Sequence, residues 1–278
     1  MNTQDFFSKV TLGEYGKPVK PWESRIPIPP HIVSIFNSFA GPFDEHIATS
    51  IPLYRELQLT LAEVIVKNAY ISPWTSLYDI GGSEGAWIKT LSILGVECTI
   101  NVDCNKDMQK AFNSNLPDTI NICQFALASF LEPTDGVPKF VPPVKANIVH
   151  AGMAFQFMSF NRNACIEEVI NNYLLPNGLF LIEEKLLTGD EWEEGELFKD
   201  NFKRQYYTEE QLQAKENDVL KNMHNNLVSK EDLLSVLYEH FENVYCYYKA
   251  GNFYGYACSN SVHTINRFIW EMPLNLVL

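Results

Sequence analysis

The most informative stretch of the sequence reads Tyr78-Asp79-Ile80-Gly81-Gly82-Ser83-Glu84-Gly85. It joins a short apolar run, residues 76–80, which predicts a buried strand, to residues 84–94, which predict a helix. Glycines at such a junction let the backbone turn tightly and approach a ligand, and the N-terminus of the helix offers unpaired N–H groups. The stretch therefore predicts a cofactor-binding loop.

The order of residues in this loop separates it from a pyrophosphate cradle. Asp79 precedes the glycines, whereas dinucleotide-binding loops read G-x-G-x-x-G and place their acid about 20 residues later. A carboxylate at the end of the first strand suits a ligand that carries an ammonium group. The loop is therefore expected to bind something other than a dinucleotide.

Two further strand ends predict the rest of the ligand. Residues 97–103 predict a second strand that ends in Asp103, whose carboxylate can accept hydrogen bonds from two ribose hydroxyls. Residues 119–125 predict a third strand that ends in Gln124 and Phe125, where a ring can cover an adenine face and a polar group can meet its edge. The three strand ends order the ligand as amino acid, ribose and adenine, and no phosphate site is required.

Strands and helices alternate through the middle of the chain. Strands are predicted at residues 76–80, 97–103, 119–125, 146–152 and 178–185, the last entered through a turn at 176–178, and helices at 84–94, 105–115 and 161–174. This alternation is typical of a mostly parallel sheet covered on both faces. Two later strands, 243–249 and 253–259, are separated by three residues, which permit a hairpin but no parallel crossover. The predicted fold class is α/β, a Rossmann-like seven-stranded, mostly parallel sheet with an antiparallel last strand and a helical N-terminal cap.

The chain divides into four predicted segments. Residues 1–30 contain five prolines and predict an extended arm. Residues 31–72 predict the helical cap, 73–260 the ligand-binding domain and 261–278 a C-terminal tail. Polar segments at 193–203, 208–223 and 229–240 predict helices between the fifth strand and the hairpin.

Composition excludes several classes of function. The chain has 278 residues, 46% of them hydrophobic, and a formal charge of −13, which disfavours direct binding to nucleic acid. No window approaches the roughly 18 apolar residues of a membrane span, and the start has no apolar core of signal-peptide length, so a cytoplasmic location is expected. The six cysteines and six histidines are dispersed, so no metal site is predicted. A small molecule is the expected partner.

The glycine loop, Asp103 and the terminal hairpin together resemble the class I S-adenosylmethionine-dependent methyltransferases, over residues 54–259. The resemblance implies an enzyme that transfers the methyl group of S-adenosylmethionine. It implies cofactor contacts at Tyr54, Asp79, Gly81, Gly82, Ser83, Gly85, Asp103, Cys104, Gln124 and Phe125.

A narrower likeness is to the carboxy-S-adenosylmethionine synthases, whose product serves wobble-uridine modification of tRNA. The matching segments are 50–54, 154–157, 183–185, 195–198 and 201–204, followed by Tyr207 and the spacing from Lys215 to Met223. This likeness implies carboxy-S-adenosylmethionine as an alternative cofactor, and a homodimer that pairs through the helices after the sheet.

The sequence departs from that narrower family at three places. Glu216 stands where the family has an arginine that holds the extra carboxylate of the carboxylated cofactor. Gly152 replaces an asparagine after the fourth strand, and Gln124-Phe125 replace an acid after the third. A carboxylate facing a carboxylate in a dry pocket is repulsive, so these departures favour ordinary methyl transfer over the carboxylating reaction.

The sequence thus predicts a class I methyltransferase that acts on a small or anionic acceptor. Candidate substrate contacts are the basic and aromatic patch with Arg204 and Tyr207, together with Lys215. His150, within an apolar strand, is expected to be a core histidine. Methyl transfer depends mainly on positioning, so no catalytic base is named. The alternatives are carboxy-S-adenosylmethionine synthesis from prephenate, and a non-catalytic protein that keeps the fold for interaction.

Overall fold

The computed structural model describes residues 41–67, 75–114, 116, 123–134, 136–158, 161–215 and 226–272. The predicted arm, the first part of the predicted cap and Glu216 lie outside these ranges. Within them, the helices are α1 (Pro42–Ala48), α2 (Tyr54–Lys67), α3 (Ala86–Ile93), α4 (Lys106–Ser114), α5 (Arg162–Glu168), α6 (Trp192–Lys203), α7 (Glu209–Lys215), α8 (Lys230–His240) and α9 (Val262–Glu271).

Seven strands form one sheet in the order β3-β2-β1-β4-β5-β7-β6. The strands are β1 (Ser76–Ile80), β2 (Cys98–Asp103), β3 (Cys123–Leu127), β4 (Ala146–Gly152), β5 (Leu174–Lys185), β6 (Asn243–Ala250) and β7 (Phe253–Ser259). The first five are parallel, and β7 pairs antiparallel with both β5 and β6. The predicted fold class is confirmed.

Helices cover both faces of this sheet. On β1, Leu77 packs into a core shared with α2, α3 and α9, whereas the next residue, Tyr78, packs into a second core shared with α5 and α8. The alternation follows from strand geometry, since successive side chains point to opposite faces. Helix α2, predicted as part of a cap, is buried along most of its length and belongs to the first core.

Three element boundaries differ from the prediction. Strand β3 continues two residues past Phe125, to Leu127. The predicted turn at 176–178 lies inside β5, which begins at Leu174. The pairing of β5 with β4 shifts in register along this part of the strand. The single helix predicted over 161–174 is α-helical only as far as Glu168, and a π-helical turn, Val169–Tyr173, follows it.

The predicted C-terminal tail contains the amphipathic helix α9. Ser261 caps it by accepting a hydrogen bond from the Thr264 N–H, and Ile265 and Phe268 are buried against the first core. The outer face carries Trp270, which is 85% exposed. Among the ranges given above, no helix is long and apolar enough to cross a bilayer.

Candidate active site

A cavity of about 650 Å³ opens at the carboxyl ends of β1, β2 and β4, beneath α1 and the start of α2. This is the edge of an open parallel sheet at which ligands usually bind. The structure brings together here eight of the ten predicted cofactor contacts: Tyr54, Asp79, Gly81, Gly82, Ser83, Gly85, Asp103 and Cys104.

The loop after β1 needs its glycines. Gly81 and Gly85 have φ angles of +69° and +71°, and a Cβ on Gly85 would lie 2.6 Å from the Phe112 ring. A Cβ on Gly82 would lie 2.6 Å from the Asp79 carboxyl carbon. Ser83 also has a positive φ, +50°, a conformation that costs on the order of 1 kcal/mol or more for a residue with a side chain. Gly82 thus adds no side chain of its own to the space beside Asp79, which the Asn101 side chain also borders.

Asp103 ends β2 with its side chain turned back to the loop. Its Oδ2 accepts the Ser83 N–H at 3.1 Å and its Oδ1 accepts the Asn105 N–H at 2.8 Å. Each carboxylate oxygen keeps a further lone pair. Burial raises the pKa of Asp103, while the two backbone N–H groups oppose this shift. The carboxylate is fixed and can still accept hydrogen bonds from a ligand.

Gln124 and Phe125 do not lie among the residues that line the cavity, so the structure corrects their placement. Because β3 runs on to Leu127, both belong to the strand, and Phe125 packs edge-on against Phe112 with ring centroids 5.2 Å apart. Ala128 to Leu131 line the cavity instead. The apolar run continues through Ala126-Leu127-Ala128, which was the signal that the strand is longer.

His150 has a more specific environment than an ordinary core histidine. Its Nδ1 lies 2.7 Å from Asp79 Oδ1 and its Nε2 lies 2.8 Å from Glu183 Oε2. The hydroxyl of Tyr247 donates to the other oxygen of Glu183. His150 is 3% exposed, as expected for a buried residue, but it also lines the cavity. Sequence reasoning missed this cluster because its members lie far apart in the chain.

Helix α1 supplies a further carboxylate, that of Asp44, to the cavity. Burial raises the pKa of Asp44 to about 6; Arg55, 3.8 Å away, opposes this shift and Glu84 reinforces it. The Asp44 N–H lies 3.4 Å from Glu84 Oε2. Tyr54 lies nearby, and burial raises its pKa well above the usual value, so its hydroxyl stays neutral.

The predicted substrate contacts lie outside the cavity or cannot be placed. Arg204 is on the surface, where its Nε lies 2.6 Å from Glu209 Oε1. The Tyr207 hydroxyl hydrogen-bonds Thr49 at the end of α1, next to the cavity residue His46. Lys215 is in α7, but its side chain lies outside the described residues.

The cavity lining is acidic. Among the described residues that form it, none is a lysine or an arginine. Its carboxylates are Asp44, Asp79, Glu84 and Asp103. The described part of the chain also holds no group of three or more His, Cys, Asp or Glu side chains arranged for a metal ion.

Comparisons with known proteins agree with this fold. No family model matches the chain. It is 11% identical to the plantazolicin methyltransferase BpumL, solved with a substrate analog and S-adenosylhomocysteine, with a TM-score of 0.52 over 84% of this chain and 99% of that one. The fold is that of the class I S-adenosylmethionine-dependent methyltransferases.

The relatives found by sequence similarity share one name, carboxy-S-adenosyl-L-methionine synthase. The chain is 32% identical over 157 residues to a carboxy-S-adenosyl-L-methionine synthase of Shewanella woodyi, covering 53% of this chain and 58% of that protein. It is 26% identical over 168 residues to one of Trichodesmium erythraeum, covering 60% of each. The match thus spans less than two thirds of these curated relatives.

Proposed function

We propose that this protein binds S-adenosylmethionine and transfers its methyl group to a small acceptor. The observation that carries the proposal is the placement of two fixed carboxylates, Asp79 and Asp103, at the ends of adjacent strands of a class I methyltransferase fold, on either side of a glycine turn. That turn adds no side chain of its own beside Asp79, where a Cβ on Gly82 would meet the Asp79 carboxylate and Asn101 Oδ1. The residues present therefore fit the cofactor.

Each end of the cofactor has a partner in the cavity. Asp79 would accept from the amino group, and Asp103 would accept from the ribose hydroxyls, for which its two oxygens keep free lone pairs. The adenine would lie against the segment after β3, Ala128 to Leu131. When bound, the cofactor supplies an activated methyl group on a sulfonium. The chain's own task is then to orient the acceptor and to exclude water.

The charge of the lining bears on the acceptor. An anionic acceptor would meet four carboxylates and no lysine or arginine from the described lining residues, and the His150 ring is already paired with Asp79 and Glu183. A neutral or cationic acceptor, such as an amine, fits this surface better. Asp44, whose pKa is about 6, is ionised at neutral pH and faces the cavity from α1, so it can attract such an acceptor or take up its proton.

Two measurements test this proposal. Mass spectrometry of small molecules released from freshly purified, denatured protein should recover S-adenosylmethionine or S-adenosylhomocysteine. Incubation with labelled S-adenosylmethionine should then label small amines and neutral nucleophiles in preference to carboxylates of similar size. Recovery of no S-adenosyl compound, with no binding on titration, would instead favour a non-catalytic protein that has kept the fold.

A second candidate is the synthesis of carboxy-S-adenosylmethionine, which the names of the curated relatives favour. The acidic lining argues against a cofactor with an additional carboxylate. The same mass spectrum distinguishes the two candidate functions, because a carboxylated cofactor has a different mass from S-adenosylmethionine. Its recovery, or its formation from prephenate, would reverse our ranking.

Assembly and location remain parts of the proposal. A homodimer is proposed on the likeness to the synthase family alone. A cytoplasmic location and a link to tRNA modification are proposed on the same likeness. Direct contact with nucleic acid is disfavoured by the charge of −13.

A further inference from the structure

His150, Asp79 and Glu183 form a buried charged cluster at the wall of the cavity. Each residue is at most 4% exposed. The register of the sheet brings them together, since His150 on β4 lies opposite Asp79 on β1 and Gly152 lies opposite Glu183 on β5. The three side chains come from separate strands and meet only in the folded sheet.

The geometry requires a protonated ring. Both nitrogens of His150 lie within 2.8 Å of a carboxylate oxygen. A neutral imidazole has one N–H, so its other nitrogen would direct a lone pair at a carboxylate, whereas an imidazolium donates to both. Burial alone lowers the pKa of His150, but the carboxylates of Glu183 and Asp79 outweigh it and raise the pKa to about 10.

Three neighbouring residues leave room for this cluster or contact it directly. A Cβ on Gly152 would lie 2.6 Å from His150 Cε1 and 2.9 Å from Glu183 Oε2, so only glycine leaves room for the contact. The Trp87 ring lies 4.3 Å from the His150 ring, and Tyr247 donates to Glu183 from β6. Gly152, Trp87 and Tyr247 thus each contact or leave room for one member of the cluster.

We propose that His150 and Glu183 are positioning residues for the amino-acid end of the cofactor. His150 holds one oxygen of Asp79, and Glu183 offsets the charge of the imidazolium, so that the cluster presents one net negative charge to the ligand's ammonium. The other oxygen of Asp79 faces Gly82, which has no side chain of its own, and the neighbouring Asn101 Oδ1, 2.7 Å from where a Gly82 Cβ would lie, is an acceptor like the carboxylate. This inference rests on the proposed function, because it assumes that Asp79 receives that ammonium.

The ionisable groups that face His150 are few. Among the described residues they are Asp79 from β1 and Glu183 from β5. The hydroxyls of Tyr247 and Tyr248 from β6 and of Tyr54 from α2 lie close to these carboxylates, and Asp103 interacts with the charge of Asp79. Burial raises the pKa of all three tyrosines well above 10, so they keep their protons through the neutral range. The His150 ring therefore stays protonated through the neutral range.

Glu183→Gln is the decisive variant. It leaves His150 with a single carboxylate, which lowers the pKa of the ring toward its ordinary value of about 6.5. At pH 6 the variant cluster is neutral, and we expect S-adenosylhomocysteine to bind about 10-fold more weakly than to the wild type. At pH 8.5 the ring is neutral, the net charge of −1 returns, and the ratio of the two dissociation constants falls toward one. The ratio cancels any titration of the ligand itself.

Two controls separate this effect from damage to the fold. Methylthioadenosine lacks the amino-acid end, so its affinity should be the same in the variant and the wild type. Glu184→Gln makes the same change one residue along the strand, where Glu184 is 1% exposed and pairs with Arg162 on the opposite face of the sheet. This control should leave the pH dependence of binding unchanged.

Nitrogen NMR of protein with isotope-labelled histidine measures the protonation state of the His150 ring directly. The His150 signals are assigned by comparison with the spectrum of His150→Gln. We expect both ring nitrogens to be protonated at pH 7.5 in the wild type, and the ring to titrate below pH 8 in Glu183→Gln. A neutral ring in the wild type, or a ratio of dissociation constants that does not change with pH, would overturn the inference. If the wild type binds no S-adenosyl ligand, the proposed function fails as well; if it binds and the ratio is flat, the inference alone fails.

Discussion

At the scale of single residues, Asp44 combines a cost in stability with a proposed use. Its pKa rises from 3.8 in the unfolded chain to about 6 in the folded protein, mainly through burial. The folded state therefore binds the proton more tightly, and stability falls as the pH rises from about 4 to about 6. Retaining such a residue at a cavity is typical of functional sites.

Asp44→Asn should therefore stabilise the protein at pH 7.5 by on the order of 2 kcal/mol, because it removes a buried charge that the shift in pKa makes costly. At about pH 3, where Asp44 carries its proton in nearly all folded and in most unfolded molecules, the gain should be largely lost. Urea denaturation at the two pH values measures this. The same variant should lose activity toward cationic acceptors. If the variant and the wild type differed in unfolding free energy by the same amount at both pH values, Asp44 would not be a buried charge that destabilises the folded state.

At the scale of elements, the turn between β1 and α3 depends on close packing as well as on backbone conformation. Gly85 and Gly136 both have positive φ angles, +71° and +77°. A Cβ on Gly85 would lie 2.6 Å from the Phe112 ring, whereas one on Gly136 would meet nothing within 4 Å. The two positions share the cost of the backbone conformation, but a Cβ on Gly85 would also be crowded by Phe112 on α4 and by Asn101 Nδ2 at 3.0 Å.

We expect Gly85→Ala to destabilise the protein by roughly 2–4 kcal/mol and to weaken cofactor binding, since Phe112 or the loop must shift. Gly136→Ala should cost only about 1 kcal/mol, the price of the backbone conformation. Chemical denaturation of both variants, together with titration of S-adenosylhomocysteine, makes the comparison. Equal losses in the two variants would mean that Phe112 does not constrain the turn.

The elements also show which features sequence can predict. The helices and strands around the glycine loop follow from local periodicity, so β1, α3 and β2 were predicted within two residues of their observed bounds. The end of β3 was set two residues too early, because a ring and a polar group at 124–125 suggested a ligand contact while the apolar run continued. Ser261, Ile265 and Phe268 had the capping and spacing of a helix, but the segment was predicted as a tail.

At the scale of the whole molecule, the site depends on how distant strands pair. Asp79 and Asp103 could be predicted because each follows its own strand, and the ends of neighbouring parallel strands meet at one edge. The contact of His150 with Asp79 and Glu183 joins residues 71 and 33 positions apart. It depends on the register of β4 against both neighbours, and a single sequence carries no local signal for that register.

The acidic character of the cavity is likewise a property of the whole fold. Asp44 and Glu84 come from different segments, and only the docking of α1 over the glycine loop places them on one surface. The basic patch around Arg204, which suggested an anionic acceptor, pairs instead with an acid on the surface. The sequence predicted a small or anionic acceptor, whereas the acidic lining favours a small acceptor that is neutral or cationic.

The central claim is that Asp79 and Asp103 together hold a nucleoside cofactor, and calorimetric titration of S-adenosylhomocysteine tests it most directly. The matched pair of variants is Asp103→Asn and Asp107→Asn, the latter on exposed α4 beside Lys110. We predict binding by the wild type, a loss of roughly 10- to 100-fold in Asp103→Asn, because hydrogen bonds to a charged group are removed, and no change in Asp107→Asn. Absence of binding by the wild type, or equal affinities for all three proteins, would contradict the claim.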